Sequence, residues 1–157
     1  MISKLVSAMS VTALALLSLP PAAVAIDEDT TPVVNAENPD FVAGRKALER
    51  KNWKEAVSRF SRVVAKEPES ADAHNLLGYS QRGAGNLEAA IASYERALKL
   101  NPKHRGALEY SGVAFIKTGN LARAQDNLAK LKEICGVNCE EYRDLAQAIS
   151  DSKAGRK

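Results

Sequence analysis

Small and large apolar residues recur every 34 positions through most of the chain. When residues 37–70, 71–104 and 105–138 are aligned, the eighth position of each copy is glycine, the twentieth is alanine and the twenty-fourth is large and apolar. These residues are Gly44, Gly78 and Gly112, then Ala56, Ala90 and Ala124, then Phe60, Tyr94 and Leu128. Three copies in register predict a repeat architecture, in which stacked units bury apolar faces that one unit cannot bury alone.

Within each copy the apolar spacing predicts two helices. Pro68 and Pro102 prevent the second helix from continuing. A turn is predicted at Lys51-Asn52, Gly85-Asn86 and Gly119-Asn120, where asparagine and glycine tolerate the left-handed conformation that ends a helix. The predicted first helices span 41–50, 73–82 and 107–117, and the predicted second helices span 54–66, 87–100 and 121–133.

These residues resemble the tetratricopeptide repeat, a helix–turn–helix unit of the same length. The second copy carries the pattern most fully, at Leu77, Gly78, Gly85, Ala90, Tyr94, Ala97 and Pro102. The first copy departs at Asp40, where a large apolar residue is usual, and the third departs at Gly136, where proline is usual. The resemblance implies an all-α fold, a helical repeat solenoid of three such units over residues 41–138.

The residues after the repeats predict a capping helix over 139–149. Tyr142, Leu145 and Ile149 have helical spacing with polar residues between them, which is the pattern of a helix that covers the last exposed repeat. Residues 150–157 are expected to form a frayed tail.

The N-terminal residues 1–25 have the order of a secretory signal peptide. Lys4 precedes fifteen uncharged residues, two prolines follow, and Ala23-Val24-Ala25 predicts cleavage after Ala25. The alternative is an uncleaved anchor, but fifteen helical residues rise only about 22 Å, less than the hydrocarbon layer. We therefore expect a periplasmic protein of bacterial type, with full secretion as the alternative and no membrane span after cleavage.

Charge divides the chain that is expected to remain after cleavage into two parts. Residues 26–40 hold five acidic and no basic side chains, whereas residues 41–157 carry a formal net charge of +7. We expect 26–40 to be a flexible leader that folds back weakly over the first unit. Nucleic acid is not an expected partner, because aromatic residues are not interleaved with the basic ones.

Composition gives little support to an enzyme. The chain has two histidines and two cysteines, and no nucleophile–base pair or phosphate-binding loop is recognisable. We predict a non-enzymatic protein without cofactor or metal. His74 is expected in the interior or at the boundary of the core, and His104 in an exposed loop.

Cys135 and Cys139 form a C-x3-C pair between the third unit and the cap. In an exported protein this pair favours a structural disulfide. A thiol-redox or metal-handling role is the alternative, although the usual C-x-x-C spacing is absent and the sequence shows no third ligand nearby.

The resemblance also implies that the first helices build a concave surface for a protein or peptide partner. The residues expected on it are Phe41, Arg45, Leu48 and Glu49, then Asn75, Tyr79 and Arg82, then Glu109, Val113, Ile116 and Lys117. Its basic side chains favour a partner segment with some negative charge. A merely solvated surface and a self-assembling scaffold are the alternatives, and the carboxylate-clamp pattern of chaperone-binding relatives is absent.

Overall fold

The structure, a computed structural model, describes residues 38–155, which form seven α-helices and no strand. The helices are α1 Pro39–Glu49, α2 Trp53–Lys66, α3 Ala71–Gly83, α4 Leu87–Leu100, α5 Arg105–Lys117, α6 Leu121–Cys135 and α7 Glu140–Lys153. Each helix packs against the next one in the chain, so three antiparallel pairs and a final helix form a solenoid. The predicted fold is confirmed. The predicted signal peptide 1–25 and residues 26–37 of the predicted leader lie outside the described residues.

The turn glycines adopt the predicted left-handed conformation, but the turn asparagines do not. Lys51, Gly85 and Gly119 adopt the left-handed conformation, with φ of 54°, 87° and 78°. Asn52 and Asn120 have negative φ and accept hydrogen bonds from the first turns of α2 and α6. The residue before each asparagine therefore ends one helix, and these two asparagines cap the next.

The last residues of the predicted leader belong to the first unit. The Asn38 side chain caps α1, which begins at Pro39, and its amide group also donates to the Glu67 carboxylate. Asp40, placed where the repeat pattern expects an apolar residue, accepts hydrogen bonds from Arg59, Arg62 and Lys66 of α2. The bonds from Arg59 and Arg62 hold the pKa of Asp40 below its ordinary value. The predicted boundary at residue 40 is therefore corrected: the ordered chain includes 38–40.

In each of the first two helix pairs, the space left by a glycine without a side chain, here called a notch, sets how closely the two helices approach. A Cβ added at Gly44 would lie 2.8 Å from the ring of Phe60, and one added at Gly78 would lie 2.7 Å from the ring of Tyr94. Both rings are fully buried. The eighth and twenty-fourth positions of one repeat thus interlock, and only glycine gives the ring that space.

The third unit fills its notch with a residue from outside the repeat. A Cβ added at Gly112 would lie 2.6 Å from Leu145 of α7, which is fully buried, whereas Leu128 at the twenty-fourth position is only half-buried. The cap helix therefore completes the third unit as well as covering it. It also continues past the predicted end at residue 149, so residues 150–153 are helical and the frayed tail is corrected.

No helix in the described part of the chain is both long enough and apolar enough to cross a membrane.

The notch in the third unit predicts unequal effects of two leucine truncations. Leu145→Ala should lower the free energy of unfolding by about 2–5 kcal/mol, the range for a fully buried leucine that leaves a cavity. Leu128→Ala should cost clearly less, because that side chain is already half-exposed. Denaturant unfolding followed by circular dichroism measures both. An equal or larger loss for Leu128→Ala would show that the repeat fills its own notch.

Candidate functional site

The concave face of the solenoid is the side on which the first helices meet. α3 contacts α5, and α5 contacts α7, in addition to the contacts of each helix with its neighbour in the chain. Helices that touch across an intervening partner lie on the shorter arc of a curved stack. The side chains that face the concave side therefore come mainly from α1, α3, α5 and α7.

Part of the predicted concave surface contributes instead to the core. Phe41 packs edge-on against the buried Phe60 ring, with ring centroids 5.7 Å apart. Leu48 is packed with it in the core of the first unit. Val113 and Ile116 are half-buried against the core that includes Leu145. These four side chains serve mainly to hold the helices together. Arg45, Glu49 and Lys117 are exposed.

An aromatic–arginine cluster, formed by Trp53, Tyr79, Arg82 and Tyr110, joins the first, second and third units. Tyr79 lies between the other two rings, with centroid distances of 6.0 Å to Trp53 and 5.0 Å to Tyr110. The Arg82 guanidinium carbon lies 5.1 Å from the Tyr79 ring centroid and 5.7 Å from that of Tyr110. Both distances are in the range of cation–π attraction, which keeps the charge in place.

Arg82 has unused hydrogen-bonding capacity. It forms no ion pair with any residue of the range 38–155, and its Nε atom is buried without a hydrogen-bond partner there. The Oδ1 atom of Asn75, two turns earlier on α3, is also buried and unpartnered. The hydroxyl group of Tyr94 is buried beside the Arg82 guanidinium, and burial raises its pKa. Buried polar groups in folded proteins are normally paired, so this concentration of unpaired groups distinguishes the region from the rest of the described core.

The end of the concave face near α7 is acidic. Glu109 of α5 is half-buried, and its pKa is raised to about 7. Burial is the main cause, and the carboxylates of Asp144, Glu141 and Glu140 on α7 add to it, while Arg82 opposes it. The concave face is therefore basic around Arg82 and acidic at α7. The sequence analysis predicted the basic side chains of this face but not its acidic end.

Two members of the aromatic–arginine cluster were missed in the sequence. Trp53 follows the turn asparagine of the first unit, and its ring packs against Gly83 at the end of α3. Tyr110 is adjacent to Glu109, which was predicted. An aromatic residue beside a predicted surface position is the signal that could have found Tyr110. The contact of Trp53 depends on how one unit stacks on the next.

The sulfur atoms of Cys135 and Cys139 are 2.10 Å apart and form a disulfide between α6 and α7. A carboxylate oxygen of Glu141 lies within 4.8 Å of both, so the structure supplies the third group that the sequence did not reveal. Sulfur atoms bonded to each other are not thiolate ligands, and Glu141 forms an ion pair with Arg105 at 3.5 Å. In this state the three residues do not make a metal site.

Both histidines are held by hydrogen bonds at or beside the segments between units. His104 is not the exposed loop residue that was expected: its side chain is 14% exposed, caps α5 and contacts Asp72 at 2.9 Å. His74 contacts the Pro68 carbonyl at 3.0 Å, and partial burial lowers its pKa. Both residues fix the loops between units.

Residues 71–104, the second unit, match the tetratricopeptide repeat family. The structure is similar to the TPR2B domain of yeast Sti1, with a TM-score of 0.66 and 19% identity over 74% of this chain and 95% of that one. It is also similar to the Yersinia enterocolitica type III secretion chaperone SycD, with a TM-score of 0.63 and 17% identity over 74% and 88%. The second unit is therefore a tetratricopeptide repeat.

A sequence relative of this chain is Superkiller protein 3 of Saccharomyces cerevisiae. The two are 24% identical over 93 residues, which is 59% of this chain and only 6% of that relative. This chain therefore spans only a small part of that relative's length.

The surroundings of Glu109 predict a pH-dependent loss of stability. An acid whose pKa is higher in the folded state binds its proton more tightly there. The free energy of unfolding therefore falls as the pH rises from 4.5, the ordinary pKa of glutamate, to about 7, the raised pKa of Glu109. Glu109→Gln should remove this loss, so the stability difference between variant and wild type should grow across that window. Thermal unfolding at a series of pH values measures it. The exposed Glu133→Gln is the control, and parallel curves for wild type and Glu109→Gln would contradict the assignment.

Proposed function

We propose that this protein is a non-enzymatic binding module whose concave face holds a segment of another protein. The observation that carries the proposal is Arg82, a cation fixed by two tyrosine rings, without an ion pair among residues 38–155. A fixed charge that forms no ion pair among the described residues favours a carboxylate from a partner. Aromatic and arginine side chains in a central, partly desolvated position are also the usual energetic centre of a protein interface.

The partner segment that fits best carries a carboxylate near Arg82 and no negative charge toward α7. Arg45 adds a second exposed cation on α1, whereas Glu109 and the α7 carboxylates would repel an acidic group at the other end. The expected partner is therefore acidic at one end only, which narrows the prediction of a generally acidic ligand. The polarity would also orient the segment.

Solved structures with a similar fold support the proposal that this protein binds a segment of another protein. The Sti1 domain is described in a pHsp70 complex, and SycD in complex with a peptide of the translocator YopD. Both are complexes with a peptide or protein partner. We infer the same kind of activity here, with a different partner, because the chaperone-clamp residues are replaced by Phe41 and Arg45.

We further propose that the protein works in a bacterial periplasm, where it assists the assembly of an envelope complex. The support is the signal-peptide pattern of residues 1–25 and the disulfide, which is typical of oxidising compartments. Fractionation of the source cells with N-terminal sequencing tests the location. An uncleaved chain in the cytoplasmic fraction would contradict it.

A random peptide library, selected on the immobilised protein, tests the binding proposal. Wild type should enrich peptides containing aspartate or glutamate, and Arg82→Gln should weaken the selected peptides about ten- to a hundredfold, the effect of losing a charged hydrogen bond. Arg45→Gln, on an exposed side chain, should weaken them less and cannot disturb the core.

Arg96→Gln on the outer helix α4 is the matched control, and it should bind as wild type does. Circular dichroism confirms that each variant is folded. A selected pool without acidic enrichment, or equal binding by the three variants, would place the binding site elsewhere.

A further inference from the structure

A cavity of about 470 Å³ lies beside the disulfide, between the second unit, the third unit and the cap. Cys135 lines it, together with Lys103, His104 and Arg105 from the loop before α5 and its first turn. Cys139 is not one of the lining residues. A molecule in the cavity would therefore reach the bond from the side of the Cys135 sulfur.

The two cysteines occupy different electrostatic positions. Cys135 is the last residue of α6, while Cys139 is the N-cap residue of the fourteen-residue helix α7. The free N–H groups at a helix N-terminus stabilise a thiolate. The nearby Glu140 and Glu141 oppose this effect, but Arg105 partly neutralises Glu141 at 3.5 Å. Cys139 is therefore the better leaving group when the bond is broken.

Lys103 gives the cavity a preference for negatively charged molecules. The other ionic groups in its lining are already paired, His104 with Asp72 at 2.9 Å and Arg105 with Glu141. Lys103 forms no ion pair with the described residues, and it lies beside the first turn of α5. A negatively charged group entering this cavity would be attracted to it.

We propose that the Cys135–Cys139 bond undergoes thiol–disulfide exchange with a small thiol that carries carboxylate groups and enters through this cavity. The thiolate of the small molecule attacks the Cys135 sulfur and forms a mixed disulfide with it. The Cys135–Cys139 bond breaks, and its electron pair leaves with the Cys139 sulfur, which takes a proton from water. The incoming sulfur is oxidised and the Cys139 sulfur is reduced, so no other oxidant or reductant is required.

Reduced glutathione, a thiol with two carboxylates, is the probe for the first test. The oxidised protein is mixed with glutathione, the reaction is then quenched with excess alkylating reagent, and peptide mapping by mass spectrometry locates both modifications. We expect glutathione on Cys135 and the alkyl group on Cys139, with this arrangement at least about threefold more abundant than the reverse. Equal amounts, the reverse preference, or no reaction until denaturant is added would overturn the proposal.

The charge preference is tested by comparing glutathione with uncharged 2-mercaptoethanol. Lys103→Gln should slow the reaction with glutathione about threefold, the effect of one exposed charge pair, and leave the reaction with 2-mercaptoethanol unchanged. Lys54→Gln, on the distant helix α2, is the matched control. An equal slowing with both thiols, or no slowing with glutathione, would exclude Lys103 as the group that selects the thiol.

Discussion

The fold depends on contact between a glycine in one helix and a bulky side chain in the helix that packs against it. Gly44 and Gly78 receive the rings of Phe60 and Tyr94, and Gly112 receives Leu145. Buried interiors are close-packed, so the missing side chain at each notch sets how near two helices come. Repetition of this contact gives three similarly packed units, and the stacking of those units gives the protein one concave side.

The aromatic and charged groups of the concave side lie together because stacking brings side chains that are distant in the sequence into contact. Trp53 and Tyr110 come from the first and third units and lie on either side of Tyr79 in the second. Arg82 is held against two of these rings, while its charge is left without a partner among residues 38–155. The same packing puts Glu109 beside the carboxylates of α7. Rigid stacking thus produces a surface with a basic centre and an acidic end.

The sequence predicted the helices within a few residues, because glycine, alanine and proline recur at fixed positions. It also predicted Arg82 and Tyr79 on the concave face, through the resemblance to a repeat family. Other features depend on contacts between units, which periodicity within a unit cannot show. Leu145 fills a notch from outside the repeat, and Asp40 is stabilised by three cations of the next helix. The acidic end was missed because α7 was considered only as a cover.

Two glycine substitutions, compared by thermal unfolding and peptide binding, test the central claim most directly. A Cβ at Gly78 would meet the Tyr94 ring at 2.7 Å and the Ala90 carbonyl oxygen at 3.0 Å, whereas a Cβ at Gly106 has ordinary contacts at 3.5 Å or more. Gly78→Ala should therefore lower the melting temperature and weaken binding of the selected peptides. Gly106→Ala should leave the melting temperature and peptide binding unchanged, or raise the free energy of unfolding by up to about 1 kcal/mol because alanine has the higher helix propensity. Equal stability and binding for the two variants would show that the notches do not set the packing.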